Sequence, residues 1–411
     1  MQNNNYIGFC GMSHLGLNYL AAASSKKFNV IGFDKDEEHI SNLKKNLLKI
    51  KEPGLEYTLK KNKKKIKFTS NLEDLKKCNL IFISLDINTN QKNESNYTEI
   101  NKLLKSILSK LNHKFTLVLL SQVFPGFTRK ILNKKTDVFY QVETLIFGSA
   151  LKCAKNPARI IIGSNSKFIT QYYKNYLNEF KCEKILTSLE TAEFTKIAIN
   201  LYLISNLTLT NTLNKISYDI GVIWEDVKRS LKLDKRIGKY SYLNPGLGIA
   251  SGNLERDLST ISNFSNKTDH SKDLFDLWKR ISVYHENWIL RKMENIQVTN
   301  KFINILGITY KPKTNSLKNS VAIKIIKKFN KINFIGFDPE IKKKPKIKNL
   351  FLCDKMDRNF IKSDTLIIAT NHKLFYEKKF RKLLNFKKIK NVIDPFGIIK
   401  IKDKKIKYQK I

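Results

Sequence analysis

The sequence lacks the features of several protein classes. Its five cysteines are scattered without a CxxC pair, so neither a zinc site nor a disulfide framework is predicted. The six histidines are equally dispersed, and we expect no metal site. No apolar run approaches the roughly 20 residues of a membrane helix. The first residues also lack the basic and apolar regions of a signal peptide. We therefore expect a cytoplasmic protein without a membrane anchor.

Acidic residues are also scarce. Lysine and arginine number 76 against 36 aspartates and glutamates, which gives a net charge of +40. Such an excess is compatible with a nucleic-acid partner, but the lysines are spread over the whole chain together with abundant asparagine and isoleucine. The densest runs, residues 60–67 and 400–407, are typical of a solvated turn and a tail. We favour a compositional bias over nucleic-acid binding, although a basic chain would still attract an anionic substrate.

The hydrophobic pattern divides the 411 residues, of which 42% are hydrophobic, into three expected domains. Residues 1–185 alternate short apolar runs with helical patterns, which predicts a parallel sheet with helices on both faces. Residues 186–295 are almost purely helical in pattern. Over residues 296–411 the alternation returns, and INFIGFD (332–338) echoes FNVIGFD (28–34). The expected fold class is α/β, with two similar α/β domains joined by a helical one.

Short apolar runs and the periodic segments between them give the individual elements. The predicted strands are residues 6–10, 29–33, 66–68, 80–85, 116–121 and 159–163, then 303–307, 333–337, 365–369 and 391–394. The predicted helices of the first domain are residues 15–24, 37–48 and 97–111.

One long helix is predicted over residues 188–220, which contain no glycine or proline. It would span roughly 50 Å, and its apolar residues lie nearly all the way round, which favours burial. Lys196, Asn200 and Asn211 lie on one face and need partners if buried. Either they pair with a carboxylate and with loop backbone as structural groups, or they form a ligand site.

A candidate cofactor motif follows the first strand, where Gly11-Met12-Ser13-His14-Leu15-Gly16 precedes a predicted helix and Asp34 ends the second strand. In a Rossmann-like fold the glycines make the turn, admit a pyrophosphate and let the helix pack, while the acid binds the ribose. Ser13 stands at the second glycine. Asp34 would repel a 2′-phosphate, which favours NAD over NADP. The alternative is a glycine turn in a domain that binds something else.

Motifs along nearly the whole chain resemble the UDP-glucose/GDP-mannose dehydrogenase family. The matching segments, in family order, are EPGL (52–55), SQVFPGFT (121–128), YQVE (140–143) with GSA (148–150), NPAR (156–159), AE (192–193) with Lys196, Asn200 and Asn211, DKRIG (234–238), and GITYKPKT (307–314) with Lys318. The resemblance implies two Rossmann-like domains and a homodimer formed through the central helix. It also implies an NAD-dependent enzyme that oxidises the 6-hydroxymethyl group of a nucleotide sugar to a carboxylate by two hydride transfers.

The resemblance also assigns expected roles to single positions. The catalytic candidates are Lys196, Asn200, Asp257, Glu143 and Asn253. The cofactor candidates are Gly11, Ser13, Leu15, Gly16, Asp34 and Gln122. The substrate candidates are Asn211, Arg236, Gly248, Lys311 and Lys318, with Arg236 contributed by the second subunit. No metal ligand is implied.

The main departure from the family lies in residues 245–257, which align without gaps with the family's PGxGFGGSCFPKD. This alignment places Asn253 at the cysteine nucleophile. In the family the thiol attacks the aldehyde intermediate, whereas an amide nitrogen has a delocalised lone pair and is no nucleophile. We therefore expect an impaired four-electron oxidation that stops at the aldehyde or oxidises its hydrate slowly. The loop length matches the UDP-glucose and GDP-mannose branches of the family, whereas the branch that oxidises N-acetylated sugars has a shorter loop, and UDP-glucose is the first candidate substrate. The alternative is a binding protein without turnover.

Overall fold

The computed structural model describes residues 6–90, 94–132, 136–249, 252–265, 270–296, 302–312, 314–317, 320–341, 345–357, 360–384, 388–399, 401 and 403–411. The chain divides into two compact units, Met1–Ile199 and Asn200–Ile411. The first unit contains an eight-stranded sheet in the order β10-β9-β8-β7-β4-β1-β2-β3 and a small β5–β6 ribbon. Its strands are β1 (Tyr6–Cys10), β2 (Asn29–Phe33), β3 (Ile66–Thr69), β4 (Cys78–Ile83), β5 (Asn88–Thr89), β6 (Ser95–Asn96), β7 (Thr116–Leu119), β8 (Asp137–Gln141), β9 (Arg159–Ser164) and β10 (Glu183–Ser188).

Helices cover both faces of this sheet. They are α1 (His14–Ser25), α2 (Glu37–Lys44), α3 (Leu55–Lys61), α4 (Thr98–Lys110), α5 (Ala150–Lys155), α6 (Gln171–Asn178) and the start of α7 (Leu189–Asp219). Neighbouring strand residues point to opposite faces, so Phe9 joins a buried cluster with α1 and α6, whereas Cys10 joins one with α4. The expected α/β class with helices on both faces is confirmed.

Some expected details of the first unit were wrong. β8 and β9 are antiparallel, whereas the pattern predicted only parallel neighbours; the segment between them contains only the six-residue helix α5. β8 and β10 were not predicted, and β10 is a largely exposed edge strand without an apolar run. The helix expected over 37–48 ends at Lys44, because Asn46 adopts a left-handed φ of 59°. Residues 60–67 are no simple turn, since they span the end of α3 and the start of β3.

The second unit repeats the α/β pattern after a helical segment. Its helices are α8 (Trp224–Leu233), α9 (Gly252–Phe264), α10 (Ser271–Glu286), α11 (Trp288–Glu294), α12 (Val321–Lys328) and α13 (Lys378–Arg381). Its strands are β11 (Phe302–Leu306), β12 (Asn333–Phe337), β13 (Leu350–Leu352), β14 (Thr365–Ile368), β15 (Asn391–Ile393) and β16 (Lys407–Gln409). They form a parallel sheet in the order β13-β12-β11-β14-β15-β16. Lys407, expected in a tail, therefore lies in a strand.

The predicted long helix is α7, which has 31 residues and runs from the first unit into the second. Burial all round was expected, but one face of this helix is exposed. Four of its exposed apolar residues, with Ile220 just beyond its end, recur at spacings of seven, four, three and four positions and therefore share one side of the helix: Tyr202, Leu209, Leu213, Ile216 and Ile220. Lys196, Asn200 and Asn211 lie on the other side and are buried. The helix thus has a buried polar face and an exposed apolar face.

Candidate functional site

The turn between β1 and α1 has the tight geometry that its glycines predict. The Gly11 N–H donates to the Phe33 carbonyl at 2.8 Å, which fixes the turn beside the end of β2. A Cβ atom on Gly16 would lie only 1.8 Å from the Gly11 carbonyl oxygen, so a glycine is required for α1 to begin this close to the strand. Leu15 buries its side chain in the core, which leaves its backbone as the only part able to serve a ligand.

Ser13 is the residue of this turn that fits an anionic group. It is the N-cap of α1, but its hydroxyl makes no capping bond. This hydroxyl oxygen is buried and has no hydrogen-bond partner among the residues that the structure describes. Helix N-termini attract anions through their free N–H groups and the helix dipole. The turn therefore offers a pyrophosphate both backbone donors and an unused hydroxyl.

Asp34 ends β2 and remains available to a ribose. Its Oδ2 accepts the Met12 N–H at 2.8 Å and its Oδ1 accepts the Asp36 N–H at 3.1 Å. The side chain is only half-buried, so further lone pairs can accept ribose hydroxyls. Gln122, the remaining cofactor candidate, is 8% exposed and lies just after β7.

The similar segment of the second unit, residues 332–338, also ends in an aspartate, Asp338, but this side chain has a different role. Asp338 ends β12 as Asp34 ends β2, but it is only 5% exposed. Its Oδ2 accepts the Ile308 N–H at 2.7 Å, the Thr309 N–H at 2.8 Å and the Thr309 hydroxyl at 2.9 Å. His372 Nε2 lies 3.2 Å from the same oxygen. Asp338 therefore holds its own turn, and the sequence echo reflects a shared fold rather than two equivalent ribose sites.

The catalytic candidates of the first unit form a buried ion pair. Lys196 Nζ lies 2.7 Å from Glu143 Oε1, and the Leu145 N–H donates to Glu143 Oε2 at 2.9 Å. Both side chains are largely buried, with 8% of the Lys196 side chain and 11% of the Glu143 side chain exposed. The sequence left open whether Lys196 pairs with a carboxylate or serves a ligand. The pairing is present, and it leaves a lysine poised beside a carboxylate that can exchange protons or orient water.

Glu193 has a role that the sequence analysis did not identify. It is fully buried, three residues before Lys196, and accepts the Gly126 N–H at 2.5 Å and the Thr128 N–H at 2.8 Å. Burial raises its pKa, although these hydrogen bonds oppose the shift. Glu193 thereby anchors the SQVFPGFT segment to α7. Its position in the AE motif was the only sequence signal.

In the second unit, Asn200 and Asp257 are joined directly. The Asn200 amide donates to Asp257 Oδ2 through a short hydrogen bond, and Arg256 Nε lies 3.3 Å from Asp257 Oδ1. All three side chains are at most 6% exposed. The Asp257 carboxylate thus fixes the orientation of the Asn200 amide, and the Asn200 side chain is held in one conformation.

Asn253 is exposed in the first turn of α9, at the position where the motif predicts a nucleophile. Residues 250 and 251, just before it, lie outside the described part of the chain. The two buried thiols beside the cofactor turn, Cys10 and Cys78, are unreactive. Burial raises the pKa of Cys10 well above its usual range and that of Cys78 to about 12, which keeps both as inert thiols.

The loop before α9 is held from two sides. The Gly246 N–H donates to Asn211 Oδ1 at 2.9 Å, and the Ile249 N–H donates to the Ser282 hydroxyl at 2.8 Å. Gly248 has a left-handed φ of 72°, and a Cβ there would lie 2.5 Å from the Ser282 carbonyl oxygen. The side-chain oxygen of Asn211 therefore accepts a hydrogen bond from the loop backbone. This is the structural role that the sequence left open for this residue.

The two cationic substrate candidates that the structure describes differ in exposure. Arg236 is exposed and binds Asp234 through Nε at 3.0 Å and Nη2 at 2.7 Å, and this hydrogen bonding raises its pKa. Lys311 is half-buried after β11. Lys318, the third candidate, lies outside the described residues.

A cleft of about 520 Å³ opens in the second unit beside this loop. Its walls come from the end of α7, the start of α8, residues 244–245 and the turns that follow β14 and β15. Asn214, which follows Asn211 by three residues on α7, lines the cleft. Its amide nitrogen is buried without a hydrogen-bond partner among the described residues. Tyr218, Tyr376 and Phe396 add aromatic surface. No sequence motif predicted this cleft.

The described residues contain neither a metal site nor a membrane-spanning helix. Across the described ranges, no group of three or more histidine, cysteine, aspartate or glutamate side chains is arranged to hold a metal ion. No helix in the same part of the chain is long and apolar enough to cross a membrane.

Comparisons with known proteins identify related sequences over nearly the whole chain. The chain matches the UDP-glucose/GDP-mannose dehydrogenase family in its NAD binding domain (residues 5–180), central domain (190–283) and UDP binding domain (304–401). It is 27% identical to a UDP-glucose 6-dehydrogenase of Rickettsia bellii, covering 96% of this chain and 95% of the relative. It is 24% identical to a UDP-N-acetyl-D-mannosamine dehydrogenase of Methanococcus vannielii, covering 95% and 92%.

Two solved structures share the fold. A UDP-glucose dehydrogenase from Pyrobaculum islandicum superposes with a TM-score of 0.88 at 18% identity, covering 98% of this chain and 97% of that one. A UDP-D-ManNAc dehydrogenase from Pyrococcus horikoshii gives a TM-score of 0.84 at 21% identity, covering 99% of both chains.

Proposed function

Since this chain belongs to the UDP-glucose/GDP-mannose dehydrogenase family, whose members are NAD-dependent, we propose that it oxidises the 6-hydroxymethyl group of a UDP-hexose. UDP-glucose is the first candidate, because several relatives that align over 94% or more of this chain carry that name. The observation that carries the proposal is the buried Lys196–Glu143 pair, 2.7 Å apart. When bound, NAD accepts the hydride that leaves C6.

The chain's own residues supply charge stabilisation and proton transfer. Lys196 is a buried cation, so it stabilises negative charge that develops on the C6 oxygen far better than an exposed lysine would. Glu143 accepts the hydroxyl proton directly or through a water molecule. Asn200, oriented by Asp257, adds a donor of fixed direction. Lys196 and Glu143 supply the charge stabilisation and the proton acceptor for the first oxidation, in which the alcohol loses a hydride and a proton to give the aldehyde.

The second oxidation is where Asn253 matters. An aldehyde has no hydride to give until a nucleophile has added to its carbonyl carbon. A thiol would add and give a thiohemiacetal, but the Asn253 amide cannot. Only water can then add, and hydride must leave from the hydrate to give the carboxylic acid. We propose that the aldehyde and its hydrate are the main products.

The proposal is tested by counting NADH formed per UDP-glucose consumed, with the aldehyde trapped by a hydroxylamine. We expect one NADH per sugar for the natural chain, and two with a faster overall reaction for Asn253→Cys. Asn253→Ser serves as the matched control, because it changes the same site without supplying a thiol. Two NADH per sugar at full speed from the natural chain would sink the proposal of partial oxidation.

A binding protein without turnover is the second candidate, and the exposed Asn253 at the nucleophile position favours it. It predicts that NAD and UDP-glucose bind with micromolar affinity while no NADH appears with any UDP- or GDP-sugar. Calorimetric titration with each ligand, beside a turnover screen, separates the two candidates. Any sugar-dependent NADH formation abolished by Lys196→Met would eliminate the non-catalytic candidate.

The 520 Å³ cleft is our proposed site for the nucleotide end of the substrate. Its aromatic side chains offer stacking surface to a base, and the unpartnered Asn214 amide offers a donor to a ring carbonyl. It adjoins Pro245, at the start of the loop that contains Gly248. Lys311 and Arg236 are the proposed partners of the diphosphate.

We further propose that two copies associate through the exposed apolar face of α7. This face consists of Tyr202, Leu209, Leu213, Ile216 and Ile220. Contiguous apolar surface of this kind marks an interaction site. A second copy presents the same stripe, so a two-fold pairing covers both at once.

A further inference from the structure

His14 ties the cofactor turn to a distant part of the first unit. Its Nε2 lies 3.0 Å from Glu52 Oε2, and its ring stacks on Phe147 with centroids 4.1 Å apart and planes 21° apart. The Glu52 side chain is fully buried and that of His14 is only 12% exposed. Both contacts therefore lie in an environment where hydrogen bonds and packing are strong.

Glu52 extends this connection to the segment that carries the catalytic carboxylate. Its Oε2 also accepts the Gly148 N–H at 3.0 Å, and its Oε1 accepts the Ala150 N–H at 2.8 Å. Phe147 precedes these two residues and contacts the His14 ring. Glu143 begins the same segment. One buried carboxylate and one aromatic stack thus join the turn that follows β1 to the segment that holds Glu143.

His14 is also placed to control the anion-binding groups of the turn. It is the first residue of α1 and directly follows Ser13, whose buried hydroxyl has no partner among the described residues. On the other side of Ser13, Met12 is fixed by Asp34 through its N–H and by His39 through its carbonyl. The backbone of Met12 is thus held by the Asp34 and His39 side chains, whereas the helix side of the turn is held by the His14 side chain.

We propose that His14 is a positioning residue for NAD. Its hydrogen bond to Glu52 and its stack on Phe147 set the direction of the first N–H groups of α1 and of the Ser13 hydroxyl, so that they meet the pyrophosphate. A purely structural role for His14 would affect folding stability alone. The proposal does not depend on which sugar is oxidised, or on whether any is.

The test measures NAD affinity by calorimetry with the full chain and no sugar. His14→Phe keeps a ring for the stack but removes the donor to Glu52. We expect its dissociation constant for NAD to rise about tenfold, the scale of one buried hydrogen bond to a charged group. His14→Gln places an amide nitrogen where Nε2 lies but gives up the stack, so it should weaken NAD binding by at most about fivefold. Phe147→Leu, which removes the stack alone, should weaken NAD binding by roughly threefold to fivefold.

His113→Phe is the matched control. His113 is also partly buried and also forms one Nε2 hydrogen bond, to the Cys78 carbonyl at 3.0 Å, but it lies outside the cofactor turn. Its substitution should leave NAD affinity unchanged. Melting temperatures are recorded for every variant. If His14→Phe lowers the melting temperature but leaves the dissociation constant unchanged, His14 is structural only and the proposal fails. Loss of affinity in His14→Gln equal to that in His14→Phe would also overturn it.

Discussion

Lys196 Nζ lies 2.7 Å from Glu143 Oε1 within the first unit, and the two side chains are only 8% and 11% exposed. Two opposite charges at this depth depend on one another, because either alone would be a buried and uncompensated ion. The contribution of the pair to folding stability can therefore be measured separately from its contribution to the reaction rate, by replacing one residue or both.

The first prediction follows from that separation. Lys196→Met should lower the rate of NADH formation by roughly 100-fold to 1000-fold, because it removes the charge that stabilises the reacting oxygen. It should also destabilise the fold by about 3 kcal/mol, since Glu143 is left buried without its partner. The double variant Lys196→Met with Glu143→Gln should regain most of the stability and none of the rate. Urea unfolding and stopped-flow absorbance measure the two effects, and a rate that returned with stability would contradict the catalytic role.

Asp34 gives a prediction about cofactor choice. Asp34→Asn should weaken NAD binding by about tenfold, because a charged acceptor for the ribose hydroxyls is lost. The same change should raise affinity for NADP relative to NAD, because the charge that repels a 2′-phosphate is gone. The exposed N-cap residue Asp36 supplies the control as Asp36→Asn. Dissociation constants for both cofactors check this, and an unchanged NAD to NADP ratio would argue against Asp34 as the ribose ligand.

The contrast between Asp34 and Asp338 shows how far the sequence alone could go. Both follow the letters IGF at the end of a second strand, and from them the sequence correctly predicted two similar α/β folds. It could not predict that the Asp338 carboxylate is already hydrogen-bonded within the protein. Those hydrogen bonds depend on Thr309 and His372, which are 29 and 34 residues away in the sequence. Local spacing predicted the turn at Gly11 and the long helix α7. Contacts between distant segments, such as Ser282 with the Gly248 loop, carried no sequence signal.

The loop glycines offer a matched pair of variants. Gly248→Ala should raise the KM for the nucleotide sugar about tenfold, because a Cβ there meets the Ser282 carbonyl at 2.5 Å and the φ of 72° is unfavourable. Gly246→Ala should have little effect, because the space around its Cβ is empty to 4 Å among the described atoms. NAD affinity should stay unchanged in both. Equal effects of the two substitutions on KM would refute this account of the loop.

The exposed face of α7 predicts the oligomeric state. Leu213→Asp should shift a dimer toward monomer by at least 100-fold in dissociation constant, since it buries a charge at the centre of the stripe. Tyr172→Asp is the control, because Tyr172 is similarly exposed on α6 but belongs to no such stripe. Sedimentation velocity across a concentration series measures the change. A natural chain that sediments as a monomer at all concentrations would rule out this interface.

Asp338 and His372 predict how the second unit responds to acid. Burial alone would raise the pKa of Asp338, but the hydrogen bond and charge of His372 and the N–H donors of Thr309 and Glu340 lower it from 3.8 to about 2. A carboxyl whose pKa is lower in the folded state adds stability that is complete above pH 4 and lost as the pH falls toward 2. The contribution is about 2 kcal/mol.

His372→Phe removes both the donor and the charge, so the pKa of Asp338 should rise and the acid unfolding transition should move to higher pH. The fully exposed His270 provides the control as His270→Phe, which should leave the transition in place. Urea unfolding at half-unit steps from pH 2 to pH 6 resolves the difference. A His372→Phe variant that lost the same stability at every pH would show that His372 acts by packing and not through the charge of Asp338.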